Sequence, residues 1–288
     1  MTLPLIGLLI FAGLLNATGN LLTKRSGDKR AFLWLVYASM AVLFAVPFAL
    51  VFHPFPAQAW PFILLSGALE ATYALLLSQA YSLGDFSLVY PLARGSAPIF
   101  AALLGVSLLG DRLAPVGVAG ISLVVAGVYV LHVPAMTRAG LLAPLRAIGS
   151  GVSRLAILIG LIIGSYSTVD KLGVRLVPPW LFIYMITVVS ALLQAPVVLL
   201  TRRAAVAREL RTSWGSIITA SLILFAPFLL VLIALQHSQV SYVASVRECS
   251  VVFGAALGAL VLREPFGRVR VAGAVIVFAG IVCIAVAG

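Results

Sequence analysis

Four ionisable side chains sit where lipid makes a charge costly. Glu70, Arg94, Arg247 and Glu248 each fall well inside a long apolar run, and a charge at bilayer depth costs at least about 2.5–3.5 kcal/mol. Such groups need a partner, a wet cavity or a ligand. A guanidinium offers a planar fork that bonds both oxygens of a carboxylate or phosphate, and an intramembrane glutamate suits an ammonium group or a proton. Opposite charges facing one cavity would suit a zwitterion such as an amino acid. Helical spacing puts Tyr73 on the face of Glu70 and Tyr90 one turn before Arg94. The candidate substrate-binding set is Glu70, Tyr73, Tyr90, Arg94, Arg247 and Glu248. The competing reading makes the charged members ion pairs that only lock helices together.

Other polar residues are weaker candidates. Asn16 and Asn20, and Tyr166 and Asp170, recur at i, i+4, while Trp34, Tyr37, Tyr184 and Gln194 lie on the second and seventh runs. Most aromatics in such runs pack against lipid or sit in interfacial belts. Asp170-Lys171, near a run's end, reads as an interface pair. Cys249 and Cys283 lie inside apolar runs and read as small buried residues. The sequence lacks a Gly-x-x-x-x-Gly-Lys-[Ser/Thr] loop, a His-Glu-x-x-His pair, a nucleophile elbow and a Cys/His cluster. Neither an enzyme, nor a metal or other cofactor, nor transport driven by ATP within this chain is expected.

The elements that must position these groups are membrane helices. The 288-residue chain is 62% hydrophobic and only 9% charged, against roughly a quarter charged in soluble domains. Ten apolar runs, 3–22, 32–52, 60–82, 87–109, 114–132, 152–171, 179–200, 214–236, 240–262 and 267–287, approach the ~20 residues that cross a bilayer. Backbone groups in lipid must be satisfied within the segment, so the expected fold class is an all-α integral membrane protein with ten transmembrane helices. In a soluble chain the net charge of +11 would suggest nucleic acid. Here the basic residues lie mostly in short joins. Lys24, Arg25, Lys29, Arg30, Arg138, Arg146, Arg154, Arg202, Arg203, Arg208, Arg211, Arg263, Arg268 and Arg270 share one side; Arg112, Lys171 and Arg175 share the other. That bias puts the first side in the cytoplasm and both termini in the periplasm of a bacterial inner membrane.

A second pattern runs through the chain. Shifted by 153 residues, Arg94 falls on Arg247, Phe100 on Phe253, Gly105 on Gly258, Asp111 on Glu264, Gly120 on Gly273 and Gly127 on Gly280. Apolar composition does not readily align two arginines and several glycines. The chain is therefore a duplication, divided at 1–146 and 147–288. Five helices per copy is odd, so the second copy enters from the opposite side, and a substrate site is expected near the repeat interface at mid-depth. Ala101/Gly105 and Gly254/Gly258 are small-xxx-small pairs that would let helices approach closely. They suit packing within a monomer first and a homodimer seam second.

These motifs resemble the EamA-type repeats of the drug/metabolite transporter superfamily. The residues that carry the resemblance are Gly110–Leu113 followed by Gly120 and Gly127, and Arg263–Phe266 followed by Gly273 and Gly280. The resemblance covers nearly the whole chain and is greatest to the YddG-like branch of ten-helix amino-acid exporters. It implies a secondary transporter working by alternating access, with a central cavity between two inverted five-helix repeats and small metabolites and the lipid bilayer as partners. Members often have both termini in the cytoplasm, whereas the charge count here argues the reverse. Two alternatives stand beside amino-acid export: export of lipophilic or quaternary cations, with Glu70 in an aromatic cage, and a membrane protein that transports nothing.

Overall fold

A computed structural model describes residues 1–83, 86–131, 133, 151–262 and 267–287, apart from the side chains of 81–82, 86–91 and 262. The joins 84–85 and 263–266 and most of the connection between the halves, 134–150, lie outside the described residues. So do Glu264 and the side chain of Tyr90.

The first copy comprises α1 (Leu3–Arg25), α2 (Lys29–Leu43), α3 (Ala45–Leu50), α4 (Trp60–Leu83), α5 (Phe86–Leu109) and α6 (Pro115–Leu131). The second comprises α7 (Gly151–Gly173), α8 (Pro179–Thr212), α9 (Trp214–His237), α10 (Val240–Val246), α11 (Cys249–Leu262) and α12 (Arg268–Ala287). Among the described residues, nine helical spans are long and apolar enough to cross a membrane, with α6 a shorter apolar helix beside them. This is the all-helical architecture expected from the ten apolar runs.

Three runs depart from single uninterrupted helices. The run 32–52 breaks at Phe44 (φ −92°, ψ 2°), three residues before Pro47, which has no amide to offer the preceding turn. The run 179–200 continues to Thr212 through a kink at Arg202 (φ −134°, ψ 20°), because polar residues past the lipid extend the helix onto the protein's own surface. The run 240–262 is interrupted at Arg247-Glu248, where the Glu248 and Ser250 amides bond the Ser245 and Arg247 carbonyls, three residues back. Such i→i+3 tightening is a common mark of a functional hinge.

The packing displays the duplication. The most extensive helix interfaces all join one copy to the other: α6 with α12, α7 with α5 and α4, α1 with α9 and α11, α8 with α2 and α4. Exchanging the copies maps this set onto itself except for α8–α4, whose counterpart α2–α9 is a smaller contact. The pair α1–α9 becomes α7–α4, α1–α11 becomes α7–α5, and α2–α8 and α6–α12 return to themselves. Two four-span groups result, one of α4, α5, α7 and α8, the other of α9, α10–α11, α1 and the α2–α3 span. The α2–α8 and α5–α10 contacts bridge them, and α6 and α12 pair with each other outside both groups.

Glycine makes the last contact possible. A Cβ on Gly120 would lie 2.7 Å from the Gly280 carbonyl, and one on Gly127 would lie 2.9 Å from the Gly273 carbonyl. Residue 120 meets 280 while 127 meets 273, so the equivalent helices run antiparallel. This is the inversion seen directly. Gly120→Val should therefore lower the thermal unfolding midpoint in detergent, since overpacking costs about 1–3 kcal/mol. Gly254→Ala should leave it nearly unchanged, because a Cβ there meets nothing within 4 Å. This corrects the expectation that Gly254 lets a helix approach. In the first copy the pair is used: Ala101 is fully buried and a Cβ on Gly105 would press on Asp111, Val240 and Ser241.

Gly110 takes a left-handed conformation (φ +71°), which glycine adopts without a Cβ penalty. The turn delivers Asp111 to the start of α10, where its carboxylate accepts from the Ser241 hydroxyl (2.9 Å) and amide (3.4 Å). An acidic residue at a helix N-terminus is favoured by the exposed amides there.

Candidate functional site

Glu70 lies near the middle of α4 and is only 4% exposed. Its Oε2 has no hydrogen-bond partner among the described residues. The charges acting on it are those of Asp170 and Arg247. No arginine forms an ion pair with it among the described residues, which removes the simplest version of the helix-locking reading.

The two equivalent arginines have different partners. Arg94, on α5 and 7% exposed, donates to the Ser250 hydroxyl (3.1 Å) and lies 3.6 Å from the Glu248 carboxylate. Arg247, at the α10–α11 interruption and only partly buried, donates to the Tyr166 hydroxyl on α7 (2.8 Å). No carboxylate lies within 4.0 Å of it among the described residues. Sequence explains the split. In the 153-residue register, Glu248 and Ser250 correspond to Gly95 and Ala97, neither of which has a side-chain acceptor. The partners that hold Arg94 therefore have no counterpart for Arg247. Each arginine joins one four-span group to the other.

Around this pair stand Tyr73 and Tyr166, ring centroids 6.2 Å apart and nearly perpendicular at 68°. Tyr37 of α2 lies within electrostatic reach of Glu70, Tyr73 and Tyr166. Asp170, one turn beyond Tyr166, accepts a hydrogen bond from Ser66, one turn before Glu70. The interior thus holds a charged and aromatic cluster drawn from both copies. It brings together Glu70, Tyr73 and Arg247, with the Arg94–Glu248 pair beside them. Tyr90 lies one turn before Arg94 on α5, its side chain outside the described residues.

Sequence reasoning missed Ser66 and Ser250. The available signal was spacing, with Ser66 at i−4 from Glu70 and Ser250 at i+3 from Arg247, but serine is too common in such helices for that to stand out. The Asp170-Lys171 interface pair is corrected. Asp170 turns to Ser66, while Lys171 caps the C-terminal end of α9 by donating to the carbonyls of Leu235 and Ser238. Trp34, Tyr184 and Gln194 are occupied structurally. They donate to the carbonyls of Ala191 (3.0 Å), Ala41 (3.1 Å) and Ser190 (3.2 Å). Asn20 donates to Asn16 (2.9 Å). Cys249 is buried with a free thiol, and a Cβ on Gly13 would press on it and on the Ser250 amide.

Two inverted, interlocked helical copies around a buried polar cluster are the architecture of many secondary transporters. The EamA-like transporter family model matches residues 3–133 and 153–286, and the chain belongs to that family, within the drug/metabolite transporter superfamily. Among solved structures, one crystal structure of a protein covers 99% of this chain and 98% of its own with a TM-score of 0.76. At 16% identity that likeness speaks for the fold alone. No curated protein matches the sequence.

Proposed function

We propose that this chain is a secondary transporter that exports amino acids or related small zwitterions across a bacterial inner membrane by alternating access. The observation that carries the reading is the pairing of opposite charges without mutual neutralisation. Arg247 and Glu70 share one mid-membrane cluster, and neither has an ion-pair partner within 4.0 Å among the described residues. Arg247 takes the substrate carboxylate, replacing or sharing Tyr166. Glu70 takes the ammonium group, and Tyr73, Tyr166 and Tyr90 wall the site. Arg94 and Glu248 guide and gate. They tie α5 to α11, one from each four-span group, so the tie must loosen when the groups rock. The units that inverted during duplication are 1–146 and 147–288, and the Lys/Arg bias places both termini in the periplasm.

Glu70→Gln keeps shape and removes charge. It should reduce amino-acid flux about tenfold or more while sparing carboxylates that lack an amine, as measured by counterflow in liposomes. Unchanged amino-acid flux would remove the proposed amine site. One observation favours organic cations as the second reading: Tyr37, Tyr73 and Tyr166 share the cluster of a buried carboxylate, which is the composition of an aromatic cage. In that case Glu70→Gln would abolish cation flux and leave amino acids untransported in either protein.

A further inference from the structure

The 34-residue helix α8 outruns the bilayer. Its spanning part ends near Leu200, and after the kink at Arg202 the segment 203–212 turns onto the end of the bundle. Val206 packs there with Phe32 and Ile217, in the first turns of α2 and α9. Glu209, 1% exposed, accepts the Asp28 amide (2.8 Å), and Asp28 in turn lies 3.5 Å from Arg202. The segment is therefore docked on one face and fixed in rotation.

At 100° per residue, docked Val206 and Glu209 occupy one sector of this helix. Arg208 and Arg211 lie on the opposite one with Arg203 at its flank, and all three are exposed. They have no ion-pair partner within 4.0 Å among the described residues. Two exposed apolar side chains bracket the three, Leu200 (85%) before them and Trp214 (66%) after them. Tryptophan concentrates at headgroup depth, so the arginines stand at the level of phosphate groups and not far out in water.

We propose that Arg203, Arg208 and Arg211 form a binding surface for the headgroups of anionic phospholipids. Charge complementarity carries the assignment. Juxtamembrane clusters of Lys and Arg are attracted to anionic leaflets, and a docked helix presents its cations without having to fold on arrival. The proposal is independent of what the central cluster carries.

Trp214 reports on it. The protein is reconstituted in vesicles containing equal mole fractions of brominated phosphatidylglycerol or brominated phosphatidylcholine, and fluorescence quenching is compared with that of Trp214→Phe. Wild type should show stronger Trp214 quenching by the anionic lipid. The excess should vanish in Arg203→Gln/Arg208→Gln/Arg211→Gln, with monodispersity and thermal midpoint confirming the fold. Native mass spectrometry should show fewer retained phosphatidylglycerol molecules in that variant. Equal quenching by the two lipids in wild type, or an undiminished anionic excess in the variant, would overturn the proposal.

Discussion

Arg247→Ala should reduce flux of carboxylate-bearing substrates by about 30- to 5000-fold, while the protein remains folded. Removing one member of a buried, hydrogen-bonded charge pair costs about 2–5 kcal/mol, and the expected partner here is the substrate. The fold should survive because the guanidinium's hydrogen-bond partner within the protein is a tyrosine hydroxyl, and Tyr166 loses that bond and a guanidinium 5.7 Å from its ring centroid. Arg247→Lys should recover part of the activity, since it restores the charge without the planar fork. The check is counterflow of a labelled amino acid at matched protein density, with thermal unfolding in parallel. A loss of flux that tracked a loss of folded protein would assign Arg247 to scaffolding.

Glu248→Ala should act in the opposite way, on stability first. Glu248 is 1% exposed and lies against Arg94, itself 7% exposed. Removing the carboxylate takes away the charge that lies 3.6 Å from a buried guanidinium, and breaking a buried ion pair costs about 3–5 kcal/mol. The unfolding midpoint should fall sharply in Glu248→Ala. Replacing both members, as in Arg94→Met/Glu248→Leu, should restore much of it, since the costly state is the lone charge and not the missing pair. Transport by the double variant then separates the two roles: a folded but inactive double variant means that the pair is needed for rocking, beyond holding the helices together. A Glu248→Ala midpoint equal to wild type would mean that Arg94 finds another partner.

The architecture was legible because it repeats. Arg94 with Arg247, and Gly120 and Gly127 with Gly273 and Gly280, are too specific in type and register to arise from apolar composition, and they marked the inverted duplication, though not that those glycines would meet across α6 and α12. Glu70, Tyr73 and Arg247 could be named because lipid makes an ionisable residue conspicuous, and one helical face links Tyr73 to Glu70. What spacing could not supply was pairing between the copies. Arg94 meets Glu248 and Ser250 more than 150 residues away, and no local pattern says that Arg94, and not its equivalent Arg247, receives the carboxylate. Comparing the copies position by position would have pointed there, because Glu248 stands opposite Gly95. Gly254 matched a packing motif and yet faces open space, since small-residue spacing permits a close approach without supplying the neighbour. The docking of 203–212 depends on Glu209 finding the Asp28 amide, a contact invisible along the chain.

The most direct test of the central claim is counterflow in liposomes containing only the purified protein, with labelled amino acids and labelled organic cations run side by side. Uptake of several amino acids, competed by other molecules bearing both an amine and a carboxylate and by neither function alone, is the result that a site built on Arg247 and Glu70 predicts. Uptake of cations with no amino-acid flux would contradict it, and would leave Glu70 with its surrounding tyrosines as the site and both arginines as structure.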